Sequence, residues 1–298
     1  MPLPNPERAW ERPAGLSSLD RAEVERRLGP VSEPLELLAG GLANLNVRVG
    51  RDRVLRVYRR EPEALRKEAA LLARGWTQLR VPRVLDAGKD FLLLEYVPHG
   101  SLEPAHGAAV GSALAEIHAV AFEKAGFFGV GTGGPSLTVD EPVPDLVTAL
   151  HEHSSGLFDR APLPVTLRER VQRAVEERLP RLREVAGRHV LLHSDFKVSN
   201  LHWAESDELL VLDWEFAYAG AALSDVGQLL RWRPPPEFVA AFAAAYRARG
   251  GALPGDWERW AAVFDLFNLA GLVARSERGS SRAHDLERRI EETLALLP

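Results

Sequence analysis

Apolar and polar positions alternate at period two through Leu45–Val49 and Arg53–Tyr58, on either side of Gly50-Arg51-Asp52. Such alternation turns one side of an extended chain toward a core, and the short polar break predicts a hairpin. Val54, Arg56 and Tyr58 then share one face, and Leu55 and Val57 the other. Pro34–Ala39, Arg83–Asp86 and Phe91–Val97 predict further strands, the last two separated by a turn at Gly88. Between them the period changes. Leu65, Ala69 and Leu72 line one face of a helix over Glu61–Gly75, with Pro62 in its first turn and Gly75 at its end. A shorter helix over Ser18–Leu28 stops at Gly29-Pro30. Residues 1–17 are Pro-rich and irregular, with Trp10 as a docking point. The first ninety-odd residues therefore predict a small antiparallel sheet carrying one inserted helix.

Beyond Pro98-His99-Gly100-Ser101 the pattern is mainly helical: about 105–121, 142–155, 165–186, 221–231, 236–249, 256–276 and 279–296. The five glycines of Phe122–Asp140 predict an exposed loop. One stretch interrupts the helices with their only convincing strands: Leu191–Glu215, LLHSDFKVSNLHWAESDELLVLDWE. Its apolar runs, Val190–Leu192 and Leu209–Leu212, predict buried strands. Between and after them stand His193, Asp195, Lys197, Asn200, Asp213 and Glu215. The spacing is HxDxxxxN, followed by DxE beginning thirteen residues after the Asn. Strand, polar loop, strand and second acidic loop would hold these groups at neighbouring strand ends.

Composition narrows the classes. A chain of 298 residues buries a sizeable core as one large or two smaller domains. A net charge of −5 with no basic block gives no sign of nucleic acid or an anionic membrane as partner. No apolar run approaches the roughly 20 residues that span a bilayer, and the N-terminus carries no signal-peptide pattern. With no cysteine there is no disulfide, thiolate chemistry or Cys-based zinc site. The expected setting is the cytoplasm. Only four of 37 basic residues are Lys, and Asn occurs five times. Lys197 and Asn200 beside Asp195 therefore stand out from the background.

His193-Ser194-Asp195-Phe196-Lys197-Val198-Ser199-Asn200 and Asp213-Trp214-Glu215 together resemble the catalytic loop and metal-binding motif of the aminoglycoside phosphotransferase / choline kinase superfamily, small-molecule kinases of protein-kinase-like fold. Element order resembles that superfamily over about 30–275, although the specific identities cluster in 191–230. The resemblance implies an α+β, bilobal architecture. A small N-terminal antiparallel sheet lobe with one helix (1–97) binds nucleotide. A larger, mainly helical lobe (98–298) carries catalysis and the acceptor.

It implies ATP (or GTP) and Mg2+ as cofactors, a small-molecule hydroxyl as acceptor, and a monomer or homodimer. Phosphoryl transfer asks mainly for positioning, metal and charge compensation. Asp195 is the implied base or orienting carboxylate, and Lys197 the cation within reach of a γ-phosphate. Asn200 and Asp213 are implied metal ligands, with Glu215 approaching a second metal directly or through water. Asp225, in Ala-Leu-Ser-Asp-Val-Gly, resembles the superfamily's loop-anchoring Asp, and His193 reads as a brace. A loop acid, a turn Asn or a surface Lys is the ordinary explanation of each residue alone; the combination is not ordinary.

In the sheet lobe Arg56 stands where protein kinases carry Lys, and its guanidinium can grip phosphate bidentately. In so Arg-rich a chain, a solvent-facing strand Arg is an equal explanation. Glu68 is its expected partner on the following helix. Gly41 and Asn44, in Gly40–Asn46, mark the position of a phosphate-covering loop. Glu95 and Val97 bracket the backbone that would meet adenine. Acceptor-lining candidates are Asp140, Glu141, Asp145, Glu152, Asp159, Trp232, Asp265 and Asn268; several acids would suit an amine-bearing acceptor such as an aminoglycoside or choline. A nucleotide-binding pseudokinase without transfer is the alternative, supported only by Arg at 56. DWE in place of DFG, with no activation segment before Asp225, disfavours a protein kinase.

Overall fold

The computed structural model describes residues 1–10, 20–38, 44–59, 64–129 and 137–297. Gly41, the Gly-Gly turn around it and the first turn expected of the 61–75 helix lie outside the described residues.

Helix α1 (Arg21–Leu28) begins at Asp20, whose side chain accepts from Ala22 N, a cap that relieves one unpaired donor of the first turn. Strands β1 (Leu35–Leu37), β2 (Leu45–Val49), β3 (Arg53–Val57), β4 (Val84–Ala87) and β5 (Phe91–Glu95) form one antiparallel sheet in the order β1-β2-β3-β5-β4. The hairpin register pairs Asn46 with Arg56 and Leu45 with Val57. The two faces separate as the alternation requires. Val24 of α1, Leu45, Val47, Leu55 and Val57 form an outer core. Val54, Tyr58, Leu92 and Leu94 join helix α2 (Ala64–Leu72) and the main core on the other side.

After β6 (His99–Ser101) comes α3 (Gly107–His118), then the short strands β7 (Ala121–Phe122), β8 (Gly126–Phe128) and β9 (Val139–Pro142). The described part of the expected 122–140 loop is thus edged by strands. Helix α4 (Leu146–Phe158) follows. The predicted 165–186 helix is two: α5 (Val165–Glu176) and α6 (Leu179–Ala186). The break precedes Pro180, which has no N–H to give a helix interior but suits the first turn of a new helix.

Strand β10 (His189–Leu192) enters the catalytic-loop stretch, and β11 (Leu201–Ala204) and β12 (Leu209–Val211) form a hairpin beyond it. Strand β13 (Tyr218–Ala221) leads into α7 (Leu223–Leu230), followed by α8 (Pro236–Ala248), α9 (Trp257–Ala274) and α10 (Ser281–Ala295). The helical region therefore holds more strand than its pattern predicts. One sheet runs β7-β10-β13-β8-β9, and another β12-β11-β6. These strands are two to four residues long, too short to show a period.

Two long-range ties set the 191–215 stretch in place. Arg80, in the linker after α2, pairs with β12 through Arg80 N to Leu209 O (2.7 Å) and Val211 N to Arg80 O (3.0 Å). On the far side α7 packs closely on α9. A Cβ at Gly227 would stand 2.2 Å from the Ala261 carbonyl oxygen, so only glycine permits this approach. No helix among the described residues is long and apolar enough to cross a membrane.

Candidate active site

The loop between β10 and β11 carries Asp195, Lys197 and Asn200. Its entry is bent: Ser194 has φ 64°, in the left-handed region, at a cost of roughly 1–2 kcal/mol for a residue with a Cβ. Helix α7 stabilises this conformation. Asp225 accepts from His193 N and Ser194 N, both at 2.8 Å. One turn on, Gln228 accepts from Phe196 N (2.8 Å) and donates to Ser194 O (2.9 Å). Asp225 also meets His118 Nε2 at 3.2 Å, and His118 Nδ1 lies 2.7 Å from the Tyr246 hydroxyl. Gln228 and His118 were not singled out in the sequence. Gln228 carried one signal: it is one of three glutamines in the chain and falls three residues after Asp225, on the same helix face.

His193 is fully buried, and burial holds its pKa below the usual value despite Asp225 nearby. Its Nδ1 accepts from Asp195 N (3.2 Å), which assigns the proton to Nε2, 3.0 Å from Leu212 O. A neutral imidazole thus ties the catalytic loop to the strand that delivers Asp213.

Asn200 donates through Nδ2 to Asp195 O (2.9 Å) and Oδ2 (2.7 Å). Lys197 Nζ lies 3.1 Å from Asp195 Oδ1. Both oxygens of Asp195 are therefore oriented, while the amide oxygen of Asn200 is left for other partners. Burial would lower the Lys197 pKa, but Asp195 and Glu7 outweigh it and raise it well above the usual value.

Asp213 follows β12, also in a left-handed conformation (φ 70°). Arg56, on the inner face of β3, reaches across to it. Its Nη2 bonds Asp213 Oδ1 and lies 3.6 Å from Glu215 Oε2. Its Nε is 3.2 Å from Glu68 Oε2, without the alignment of a hydrogen bond. Tyr58, two residues along the same strand face, donates to that oxygen at 2.5 Å. Glu68 Oε1 receives Trp214 N at 3.4 Å. Asn44 is buried and donates from Nδ2 to Glu215 Oε2 at 2.5 Å.

Three carboxylates thus face one guanidinium in a buried space. Burial and the neighbouring Asp213 push Glu215 up to about 8. Glu68 is likewise raised, chiefly by burial. Asp213 is the exception: burial would raise it, but Arg56 beside it outweighs that and holds it below the usual carboxylate range. Arg56 is held charged, its burial more than offset by Asp213 and Glu68.

This donor set fits a hard divalent cation. Asp213 and Glu215 carboxylates and the Asn200 amide oxygen are the kind of hard oxygen ligands Mg2+ prefers, and a cation there would favour the ionised form of the raised Glu215. Among the described residues no three His, Cys, Asp or Glu side chains converge in metal-holding geometry.

Other expected positions divide. Glu95 turns its side chain away from the Arg56 cluster, to Arg80 (2.9 Å) and Arg83 (3.0 Å). Burial would raise it, but these partners hold it below the usual range. Tyr96 N donates to Asp52 O, and Val97 O lies 2.6 Å from His99 Nδ1. Asp145 caps α4 and pairs with Arg183, and Asp159 accepts from Gln172. Asp140, Glu141 and Glu152 are exposed. Asp265 is buried in a two-pronged pair with Arg231 (2.9 and 2.7 Å). The acidic surplus that the sequence suggested for the acceptor side is thus largely exposed or neutralised.

The sequence matches the model of the phosphotransferase enzyme family over residues 34–263, 230 of 298 residues. No curated protein matches it significantly. Similar folds occur in a GDP and kanamycin complex of APH(2")-IIia, with TM-score 0.71 and 17% identity, covering 92% of this chain and 98% of that one. A putative fructosamine-3-kinase from Thermobifida fusca gives TM-score 0.66 and 18% identity, covering 92% and 98%. A choline/ethanolamine kinase family protein from Mesorhizobium loti gives 0.62 and 19%, covering 95% and 92%.

Proposed function

The chain belongs to the phosphotransferase enzyme family, and from that premise we propose that it moves the γ-phosphate of ATP or GTP to a hydroxyl of a small molecule. The observation that carries this reading is that Asn200 and Lys197 both bind Asp195, while Asp213, bonded to Arg56, lies near enough to Lys197 to feel its charge. Asp195 orients the acceptor hydroxyl and takes its proton as the oxygen–phosphorus bond forms. The bond from the γ-phosphorus to the β–γ bridging oxygen breaks, and the nucleoside diphosphate leaves. Lys197 offsets charge on the transferring group. Arg56, set by Glu68 and Tyr58, turns to the α- and β-phosphates when nucleotide enters.

Asn200, Asp213 and Glu215 would hold Mg2+, which supplies charge neutralisation at the phosphates. By the resemblance, Asn44 belongs to a loop that would cover the phosphates, and the Glu95–Val97 backbone would meet adenine or guanine; Gly41, assigned to the same loop, lies outside the described residues. The proposed division at residues 97/98 then separates a nucleotide lobe from a catalytic and acceptor lobe, except that residues 3–10 pack on the second lobe. The relatives named for kanamycin, fructosamine and choline or ethanolamine support an amine-bearing alcohol as the acceptor class.

The test is nucleotide turnover with Mg2+, ATP and GTP across aminoglycosides, amino alcohols, fructosamines and sugars. The expected result is phosphorylation of a hydroxyl in one class, reduced roughly 10²- to 10⁴-fold in Asp195→Ala while nucleotide still binds. Transfer that survives Asp195→Ala would sink the assignment. Nucleotide binding with transfer to no acceptor would favour the pseudokinase alternative.

A further inference from the structure

The N-terminal segment, expected to be irregular and docked through Trp10, does more than dock. It crosses from the β6 side of the molecule to α10. Leu3 is buried and donates its backbone N–H to Leu102 O at 2.9 Å. Trp10 is buried edge-to-face on Trp232 (5.9 Å) and bonds Asp285 Oδ2 at 3.1 Å. Between these anchors a short 3-10 turn, Pro6–Ala9, points Glu7 into the protein.

The two oxygens of Glu7 face two different elements. Oε2 lies 3.1 Å from Lys197 Nζ. Oε1 lies 3.3 Å from Arg231 Nη1 and accepts from Trp232 Nε1 at 3.0 Å. The result is a chain of alternating charge: Asp195, Lys197, Glu7, Arg231 and Asp265. Every link is 3.3 Å or less. Burying a carboxylate carries a desolvation cost that the strap does not need for attachment, because Leu3 and Trp10 already provide it. Without Glu7, two buried cations at Lys197 and Arg231 would face each other with no anion between them. Lys197 would then lose one of its two salt-bridge partners and keep only Asp195 against the unshielded charge of Arg231.

We propose that Glu7 is a positioning residue of the transfer site: from the N-terminal strap it holds the Lys197 ammonium against Asp195 and couples that placement to Trp232 and Arg231. This rests on the phosphotransfer reading above. The strap is therefore part of the active site, although it lies outside residues 34–263 that match the family.

Two readouts test it in the full chain, in wild type, Glu7→Gln and Glu7→Asp. The first is independent of turnover: competitive acetylation mapped by mass spectrometry, with Lys67, Lys89 and Lys124 as internal references. Lys197 is expected to be protected in wild type and several-fold more reactive in Glu7→Gln, with Glu7→Asp between them and the references unchanged. The second is steady-state Mg2+–nucleotide turnover with the best acceptor. Glu7→Gln is expected to lower kcat roughly 10- to 100-fold with nucleotide KM unchanged, and Glu7→Asp to recover part of it. Lys197 labelling that stays at the wild-type level in folded Glu7→Gln overturns the positioning role and leaves the transfer reading intact. A wild-type chain that binds nucleotide but transfers phosphate to no acceptor of the panel overturns the transfer reading, visibly separate from the labelling result.

Discussion

The catalytic loop and the Arg56 cluster lie side by side but are stabilised by opposite means. The loop is held by directional bonds whose donors and acceptors are matched: Asp225 and Gln228 on four backbone groups, and His193 between Asp195 N and Leu212 O. It can keep its geometry whether or not a ligand is present. The Arg56 cluster sets one guanidinium against Glu68, Asp213 and Glu215. Burying carboxylates beside one another is costly, and on this side Glu68 and Glu215 are both raised by burial and by the neighbouring Asp213. On the proposed phosphotransfer reading such a division is useful: the loop that would orient the acceptor is preorganised, while the Arg56 side would gain from the cations and phosphates it is proposed to bind.

The largest expected effect comes from breaking the matched side. Asp225→Ala leaves the backbone donors of His193 and Ser194 and the His118 Nε2 without their acceptor, a loss of about 3 kcal/mol or more at ~1–3 kcal/mol per orphaned group. Urea unfolding measures it. A loss under 1 kcal/mol would mean that the loop is held elsewhere, and the contrast between the two regions would fail.

On the unmatched side the effect should appear in binding more than in folding. Arg56→Ala is expected to weaken nucleotide affinity roughly 10- to 100-fold, in line with losing a charge-assisted bond of about 1.5–3 kcal/mol. Calorimetric titration with Mg2+–ATP and Mg2+–GTP measures it, and unchanged affinity would remove Arg56 from the phosphate site.

The smallest effect sharpens the contrast through pH. Glu215 is raised to about 8 in the folded protein against an ordinary 4.5. The folded state therefore binds a proton more tightly than the unfolded chain. That contribution to stability is complete below the ordinary value and is lost as pH rises through about 8. In chelator and without nucleotide, the Tm of wild type should fall across this window more than that of Glu215→Gln. Added Mg2+–nucleotide should reduce the difference. Parallel Tm profiles for the two proteins would show that Glu215 carries no such surplus charge.

Much of the site was legible because its residues are close in sequence or obey a period. Asp195, Lys197 and Asn200 share one loop. Arg56 and Tyr58 share a strand face with Val54, and Glu68 follows from the helical stripe of Leu65 and Leu72. Where pattern failed, the reasons are physical. Two- to four-residue strands such as β7 and β13 show no periodicity. Pro180 divides a stripe that otherwise reads as one helix. Gly41 lies outside the described residues, so its place over the phosphates stays an expectation. Asp145, Asp159 and Asp265 looked like acceptor groups because the sequence shows charge but not its partner. The structure pairs them with Arg183, Gln172 and Arg231.

What the sequence determined by itself is the reaction type and the elements that bear it: local spacing places a carboxylate, an ammonium and an amide on one loop, and hydrophobic periodicity sets the sheet faces. Tertiary structure alone decided which distant groups surround them. Asn44 meets Glu215 across 171 positions, His118 meets Asp225 across 107, and Trp232 meets Glu7 across 225. No local pattern encodes such pairings, because they depend on how the whole chain closes around one core. Glu7 is the clearest case: in sequence it is one acid in a Pro-rich segment, and in the folded protein it stands between Lys197, which pairs with Asp195, and Arg231, which pairs with Asp265.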